Sequence, residues 1–287
     1  MSTFPKEVWL SVSGKSYVQG ECKIIARVQP GDDVAAIQSH YGRRLMWYEI
    51  GADGIEDLPF LTSLKGQRVR IHADTAVLTG LEEQMRALRQ TRPVFVLKPG
   101  VDILRQVNVI ASIRFRVHID ASQEVTDIGV MRKLTDYFLY NPVLMSPIEP
   151  LTTLLAHLTR GKGHTLWETE HKRPNAAFLD EKWRVTASRR WAEREEFYGS
   201  FEDGWETLSS SPLADRLRST RRTLIHASKS CTTCRHLVLC RGYLKARDAD
   251  AICMPWQESF DQLQTAVRTS HKIINTFTGS GNGLDKR

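Results

Sequence analysis

The sequence predicts an α/β protein built on parallel strands and finished by a small cysteine-rich module that binds metal. Three observations carry that expectation. Between about residues 68 and 160, apolar β-branched runs alternate with segments of helical periodicity in the order β-α-β-α-β-α, as parallel strands with helical crossovers require. Four of the five cysteines lie between positions 231 and 253, and only Cys22 precedes them. The chain has 287 residues and is 41% hydrophobic, enough for one large domain, or a large and a small one, with a substantial core.

Taken in order, Val8–Ser13 and Cys22–Val28 alternate and are rich in β-branched residues. They read as a strand pair with a glycine-containing turn between them. Asp32–His40 reads as a short helix ending near Gly42, Leu45–Ile50 as a strand and Gly51–Asp57 as a polar turn. Arg68–Ala73 predicts a strand, and Gly80–Gln90, with Leu81, Met85 and Leu88 at helical spacing, a helix. Pro93–Lys98 is a compact apolar strand broken by Pro99-Gly100; Val101–Ile113 reads as a helix and Arg114–Asp120 as the next strand. Thr126–Tyr140 is a helix stopped by Asn141-Pro142, and Val143–Ser146 a short strand. Pro150–Arg160 is a helix with an apolar face at Leu151, Leu154, Leu155 and Leu158, ended by Gly161. These elements are expected to form an open sheet or a partial barrel.

From 164 the pattern is less regular. Thr165–Glu168 and Trp183–Thr186 read as a short hairpin with Pro174-Asn175 in its loop, and Ala192–Tyr198 as a helix. Trp167, Trp183, Trp191 and Trp205 are expected to pack. Ser211-Pro212 predicts the start of a helix running to about His226, because proline suits the first helical position. Trp256–Phe277 reads as a helix, and the glycine-rich polar tail Thr278–Arg287 as disordered. The domain expectation is therefore an α/β unit over 1–225, a cysteine module over 226–277 and a tail over 278–287.

Composition narrows the functional classes. No apolar run is long enough to span a bilayer, and the N-terminus lacks the layout of a signal peptide. A cytoplasmic protein is expected, in which clustered cysteines serve metal or redox chemistry rather than disulfides. The net charge of +7 is spread over 40 basic residues without a polybasic tract or a nucleic-acid-binding motif, which argues against nucleic acid as the partner.

The cysteines read Cys231-x₂-Cys234-x₅-Cys240-x₁₂-Cys253. Four thiolates close a tetrahedral zinc site or hold a cubane iron–sulfur cluster. Structural zinc sites favour two close pairs, whereas here Cys240 and Cys253 arrive singly, which suits the wider cluster. Gly242 permits a tight backbone turn beside the sulfurs. The competing reading is four buried thiols without a ligand, against which stands the polar stretch around Cys231, Cys234 and Arg235-His236.

This layout, C-x₂-C-x₅-C-x-G and then a later cysteine followed by an aromatic residue and a helix, resembles the SPASM domain of radical S-adenosylmethionine peptide-maturation enzymes. The resemblance covers residues 231–256. It implies one auxiliary [4Fe-4S] cluster on Cys231, Cys234, Cys240 and Cys253, zinc being the alternative, and a degenerate partial (β/α) barrel-like domain upstream. It also has departures. A full SPASM domain carries a further cysteine where this chain has Leu244, and the C-x₃-C-x₂-C that opens the barrel of the radical enzymes has no counterpart, since only Cys22 precedes residue 231. The resemblance therefore implies an accessory protein that partners a complete radical enzyme, a precursor peptide or both. A zinc-stabilised binding protein for nucleic acid or protein, and an independent enzyme with its site in the α/β part, are the other readings.

Elsewhere Cys22 reads as a strand thiol. His72 with Asp74, and His118 with Asp120, alternate at strand ends and face either a pocket or, the favoured reading, water. Glu168, Glu170 and His171 read as a solvated loop, and Glu149 as a residue near a helix N-terminus. Arg189, Arg190 and Trp191 are candidates for holding an acidic peptide segment. No catalytic residue is assigned.

Overall fold

A computed structural model describes residues 9–13, 18–19, 21–73, 81–121, 125–142, 144, 146–161, 164–166, 176–187, 189–215, 229–244 and 252–279. The chain is α/β, organised on one ten-stranded sheet. Its strands are β1 (Trp9–Ser13), β2 (Lys23–Arg27), β3 (Leu45–Ile50), β4 (Arg68–Ala73), β5 (Arg92–Leu97), β6 (Arg116–Ile119), β7 (Ile148–Glu149), β8 (Ala176–Leu179), β9 (Arg184–Thr186) and β10 (Gly199–Ser200). They lie in the order β10-β9-β8-β1-β2-β3-β4-β5-β6-β7. Every pair from β8 through β1 to β7 is parallel, and only β8–β9 and β9–β10 are antiparallel.

That order has a mechanical consequence. From β1 to β7 each strand is laid beside its predecessor in the same direction across the sheet. Right-handed crossovers that never reverse put their helices on one face. The helices are α1 (Val34–Tyr41), α2 (Asp53–Glu56), α3 (Leu58–Ser63), α4 (Leu81–Gln90), α5 (Ile103–Ser112), α6 (Ile128–Tyr140) and α7 (Leu151–Arg160). Burial follows: Tyr48, Ile50, Val69, Ile71 and Ala73 are buried, while the alternate residues Trp47, Glu49, Arg68, Arg70 and His72 are half-buried or exposed on the opposite face.

Local chemistry explains the helix ends. Asp33 and Asp127 accept backbone N–H bonds at the starts of α1 and α6. Gly161 takes the left-handed conformation that ends α7. The Glu149 carboxylate accepts from the Thr153 N–H at 3.3 Å and the Thr153 hydroxyl at 2.5 Å, so it stands near the start of α7 as expected.

Several expectations need correction. β1 and β2 pair, but in parallel; alternation fixes which face a residue takes and not the direction of its strand. The predicted turn at 51–57 contains α2 and leads into α3, nucleated by Asp57 accepting from the Phe60 N–H. A short strand after α6 is Ile148–Glu149, which pairs with β6; of the expected Val143–Ser146, Leu144 and Ser146 are in no strand and residues 143 and 145 lie outside the described residues. The hairpin is formed by β8 and β9; Thr165 and Leu166 lie outside any strand, and residues 167–175 fall outside the described residues. The helix expected at Ala192–Tyr198 is Arg189–Glu193, and Glu195, at a φ of 55°, follows its end. The predicted helix at Pro212 begins under a Ser211 cap, its continuation beyond Asp215 lying outside the described residues.

Asp180 holds the β8–β9 turn. Its carboxylate accepts from the backbone N–H groups of Lys182 and Arg184 and from the Arg184 guanidinium at 2.8 Å. Desolvation by burial would raise its pKa, but the hydrogen bonds and charge of Arg184 outweigh it, so the carboxyl sits below its ordinary value. The stability it contributes is present above the unfolded carboxyl pKa and is lost as pH falls through the depressed folded one. Asp180→Asn is expected to cost about 1–2 kcal/mol at neutral pH, and the cost should shrink as pH falls below the ordinary carboxyl range through the depressed folded value, read by urea denaturation across that range.

The C-terminal helix, Met254–Gly279, packs on α6 and α7. Trp256, Phe260 and Leu263 enter the same core as the sheet residues, together with Cys240, Tyr243 and Leu244. Ser259 and Thr135, both fully buried, meet hydroxyl to hydroxyl at 2.9 Å across the α6 interface. The tail expected from Thr278 starts later, since Thr278 and Gly279 still belong to the C-terminal helix; residues 280–287 and the expected boundary at 225/226 lie outside the described residues. Among the described residues no helix is long and apolar enough to cross a membrane.

Candidate metal centre

Cys231 lies in a short helix, Lys229–Thr232, and Cys234 follows one turn later, its N–H bonded to the Cys231 carbonyl at 3.2 Å. His236 precedes a second short helix, Leu237–Cys240, and its carbonyl accepts from the Cys240 N–H at 2.9 Å. Cys253 immediately precedes the C-terminal helix, and its carbonyl accepts the N–H of Gln257 at 3.0 Å. The Gln257 side chain turns back and donates to the Cys234 sulfur at 3.7 Å, tying the first cysteine pair to the last cysteine. None of the five cysteines forms a disulfide.

Cys240 is the best-defined thiol. Arg241 and Gly242 follow it at positive φ, 53° and 79°, curling the backbone around the sulfur. Burial pushes this thiol up to about 12. The N–H of Leu244 opposes that shift, Cys253 nearby adds to it, and the N–H groups of Gly242 and Tyr243 oppose it again. Three backbone donors aimed at one buried sulfur stabilise a thiolate and do little for a thiol. Leu244, the position where the resemblance implies a further cysteine, is buried and supplies one of these donors.

The stretch expected to be polar is buried in part: His236 is only 2% exposed, and Cys231 and Cys240 are buried with it. The Nε2 of His236 accepts from Arg235 Nε at 3.1 Å and lies 3.5 Å from Asp261, to which Arg235 is itself bridged. Burial lowers its pKa, with Asp261 opposing. Two buried polar atoms of this segment, His236 Nδ1 and Trp256 Nε1, have no partner among the described residues. The indole N–H can only donate, so it would be satisfied by an acceptor such as a metal-bound sulfur.

Among the described residues, no three His, Cys, Asp or Glu side chains converge closely enough to hold a metal ion. The four cysteines fall within residues 231–253, with Cys240 and Cys253 near each other, but are not gathered into a closed site. Donor chemistry nevertheless fits a thiolate-bound group: four sulfurs, amide donors on one of them and an unsatisfied indole N–H. An open depression of about 370 Å³ lies beside Cys234, lined also by Ile128, His236, Met254 and Gln257. Ile128 opens α6, so the depression lies toward the carboxyl end of β6, the end at which open α/β sheets take ligands.

The chain matches no family model, no curated protein and no solved structure.

The other candidates do not assemble with the cysteines. Cys22 is fully buried ahead of β2, where burial raises its pKa with Arg44 opposing. His72 is exposed, whereas His118 is buried rather than facing water. His72, Val96, His118 and Glu149 stand side by side in the register of β4 to β7. Asp74, Glu168, Glu170 and His171 lie outside the described residues, and Arg189 and Arg190 open their own short helix. The spacing of the cysteines was readable from sequence. Gln257, the amides at 243 and 244 and the burial of His236 were not, because each depends on how the two cysteine segments fold against each other.

Proposed function

We propose that this chain is an accessory iron–sulfur protein that partners a complete radical S-adenosylmethionine enzyme in the maturation of a ribosomally made peptide. One [4Fe-4S] cluster would be held by Cys231, Cys234, Cys240 and Cys253. The observation that carries the reading is the Cys240 turn, where three backbone N–H groups converge on a buried sulfur next to Cys253. The sheet adds support, because a one-directional parallel order with its crossovers on one face is the topology of an opened (β/α) barrel. A cluster with four protein ligands supplies one-electron transfer or structural cross-linking, and has no free iron site for a substrate.

The chain's own groups have defined parts in this reading. The amides of residues 242–244 hold the negative charge of Cys240. Gln257 orients Cys234, and the buried Trp256 N–H, without a partner among the described residues, would be a donor for a cluster sulfur. The short helices and the Met254–Gly279 helix carry the ligands on the same core as the sheet, so loading stabilises the fold.

The test uses the native host, with the chain purified anaerobically together with an enzyme carrying C-x₃-C-x₂-C and its peptide. Peptide modification by that enzyme is expected to fall at least about tenfold when this chain is omitted. Full modification without the chain overturns the assignment.

A further inference from the structure

The face of the sheet opposite the helices carries a band of arginines that the cysteine centre does not use. Arg68, Arg92 and Arg116 are the first residues of three adjacent parallel strands, and Arg70 stands two residues after Arg68. The register pairs Arg68 with Arg92, Arg70 with Val94, and Val94 with Arg116, so the four side chains leave the same face. Their Cα atoms fall within an area of about 10 by 7 Å, from the strand spacing and the two-residue repeat. Arg68, Arg92 and Arg116 are exposed, and among the described residues none of the three has an acidic partner. The acid in this band is Glu49, 3.6 Å from Arg70. Four guanidinium groups against one carboxylate leave a local positive excess that a folded monomer does not require.

We propose that this band is the docking site for an extended acidic peptide segment with carboxylates at alternate positions. The proposal rests on the peptide-maturation role proposed above, to which it adds a peptide contact by this chain and the kind of peptide. In an extended chain alternate side chains recur about every 7 Å on one face, the same repeat that separates Arg68 from Arg70 along β4. Guanidinium groups pair with carboxylates through two parallel N–H bonds, which favours this occupant. Nucleic acid is the less suited polyanion. Two aromatic rings of this face are already covered by guanidinium groups, which leaves neither open to a base: Trp47 by Arg68 at 5.6 Å and Arg70 at 5.9 Å, and Phe178 by Arg27 at 3.9 Å. The band lies at the amino ends of β4 to β6 and the cysteine centre toward the carboxyl end of β6, so the two sites are separable.

The test is fluorescence anisotropy of a fluorescein-labelled peptide of alternating glutamate and glycine against the full chain, with its lysine–glycine counterpart as control. The parent is expected to bind the acidic peptide only, and more weakly as salt rises. The double variant R68E/R92E should weaken binding at least about tenfold, while R89E, an exposed arginine on α4, should leave it within about twofold. Should the double reversal fail to fold, R116Q alone is expected to weaken binding about threefold. No binding by the parent, or equal loss in R89E, overturns the proposal. Tighter binding of a single-stranded oligonucleotide that is lost in R68E/R92E also overturns it, in favour of nucleic acid. Iron content measured on the same variants should not change, so failure here is distinguishable from failure of the cluster assignment.

Discussion

Replacing Cys240 by alanine is expected to abolish iron binding by the anaerobically purified chain. The anaerobically purified parent is expected to carry about four irons and four sulfides per chain, and the variant less than about one. Cys240 is singled out because its sulfur is buried, receives three amide N–H groups and stands near Cys253. Without it the Gly242, Tyr243 and Leu244 amides lose their acceptor, and the remaining thiols lose the one anchored among them. Since ligand binding is folding energy, the variant should also unfold at lower temperature than the loaded parent. Cys22→Ala is the matched control. It removes a fully buried thiol from the same core yet should keep the iron, because Cys22 lies ahead of β2 and apart from the other four. Iron retained in the Cys240 variant would show that the ligand set is wrong.

The second large effect concerns how the centre is carried. Phe260→Ala is expected to destabilise the chain by about 3–5 kcal/mol, a large part of the 5–15 kcal/mol typical of a domain. Phe260 is fully buried, packs against the rings of Trp256 and His236, and sits one residue after the buried Ser259–Thr135 contact with α6. Truncating it opens a cavity where the cysteine segment, the C-terminal helix and the sheet core meet. The urea midpoint should fall accordingly. Gln262→Ala, which loses a bond to the exposed carboxylate of Asp136, should cost less than about 1 kcal/mol. Equal effects from the two substitutions would mean that the helix is not held by its apolar side.

What the sequence made legible follows from which forces are local. β3 and β4 have the expected bounds, because Leu45–Ile50 and Arg68–Ala73 are bounded apolar or alternating runs whose period is a backbone property. β7 was displaced, since two residues between prolines carry no period and the strand exists only through its pairing with β6. β8, Ala-Ala-Phe-Leu, gave no alternation, and its place beside β1 is set by contacts more than a hundred residues apart. Strand direction was equally hidden, as β1 and β2 illustrate. At the centre, the cysteine spacing and Gly242 pointed to metal. The partners that oppose the burial shift at Cys240 are backbone groups with no sequence signature. Arginines alternating at 68 and 70 were visible in the sequence, but only the register that sets Arg92 and Arg116 beside them turns them into a band.

The central claim is that the cysteine module of this chain holds an iron–sulfur cluster. Iron, sulfide and zinc analysis of the protein purified without oxygen, with a low-temperature electron paramagnetic resonance spectrum after dithionite reduction, tests it most directly. The account predicts about four irons and four sulfides per chain and the signal of a reduced cubane. One zinc per chain without iron or sulfide would contradict it.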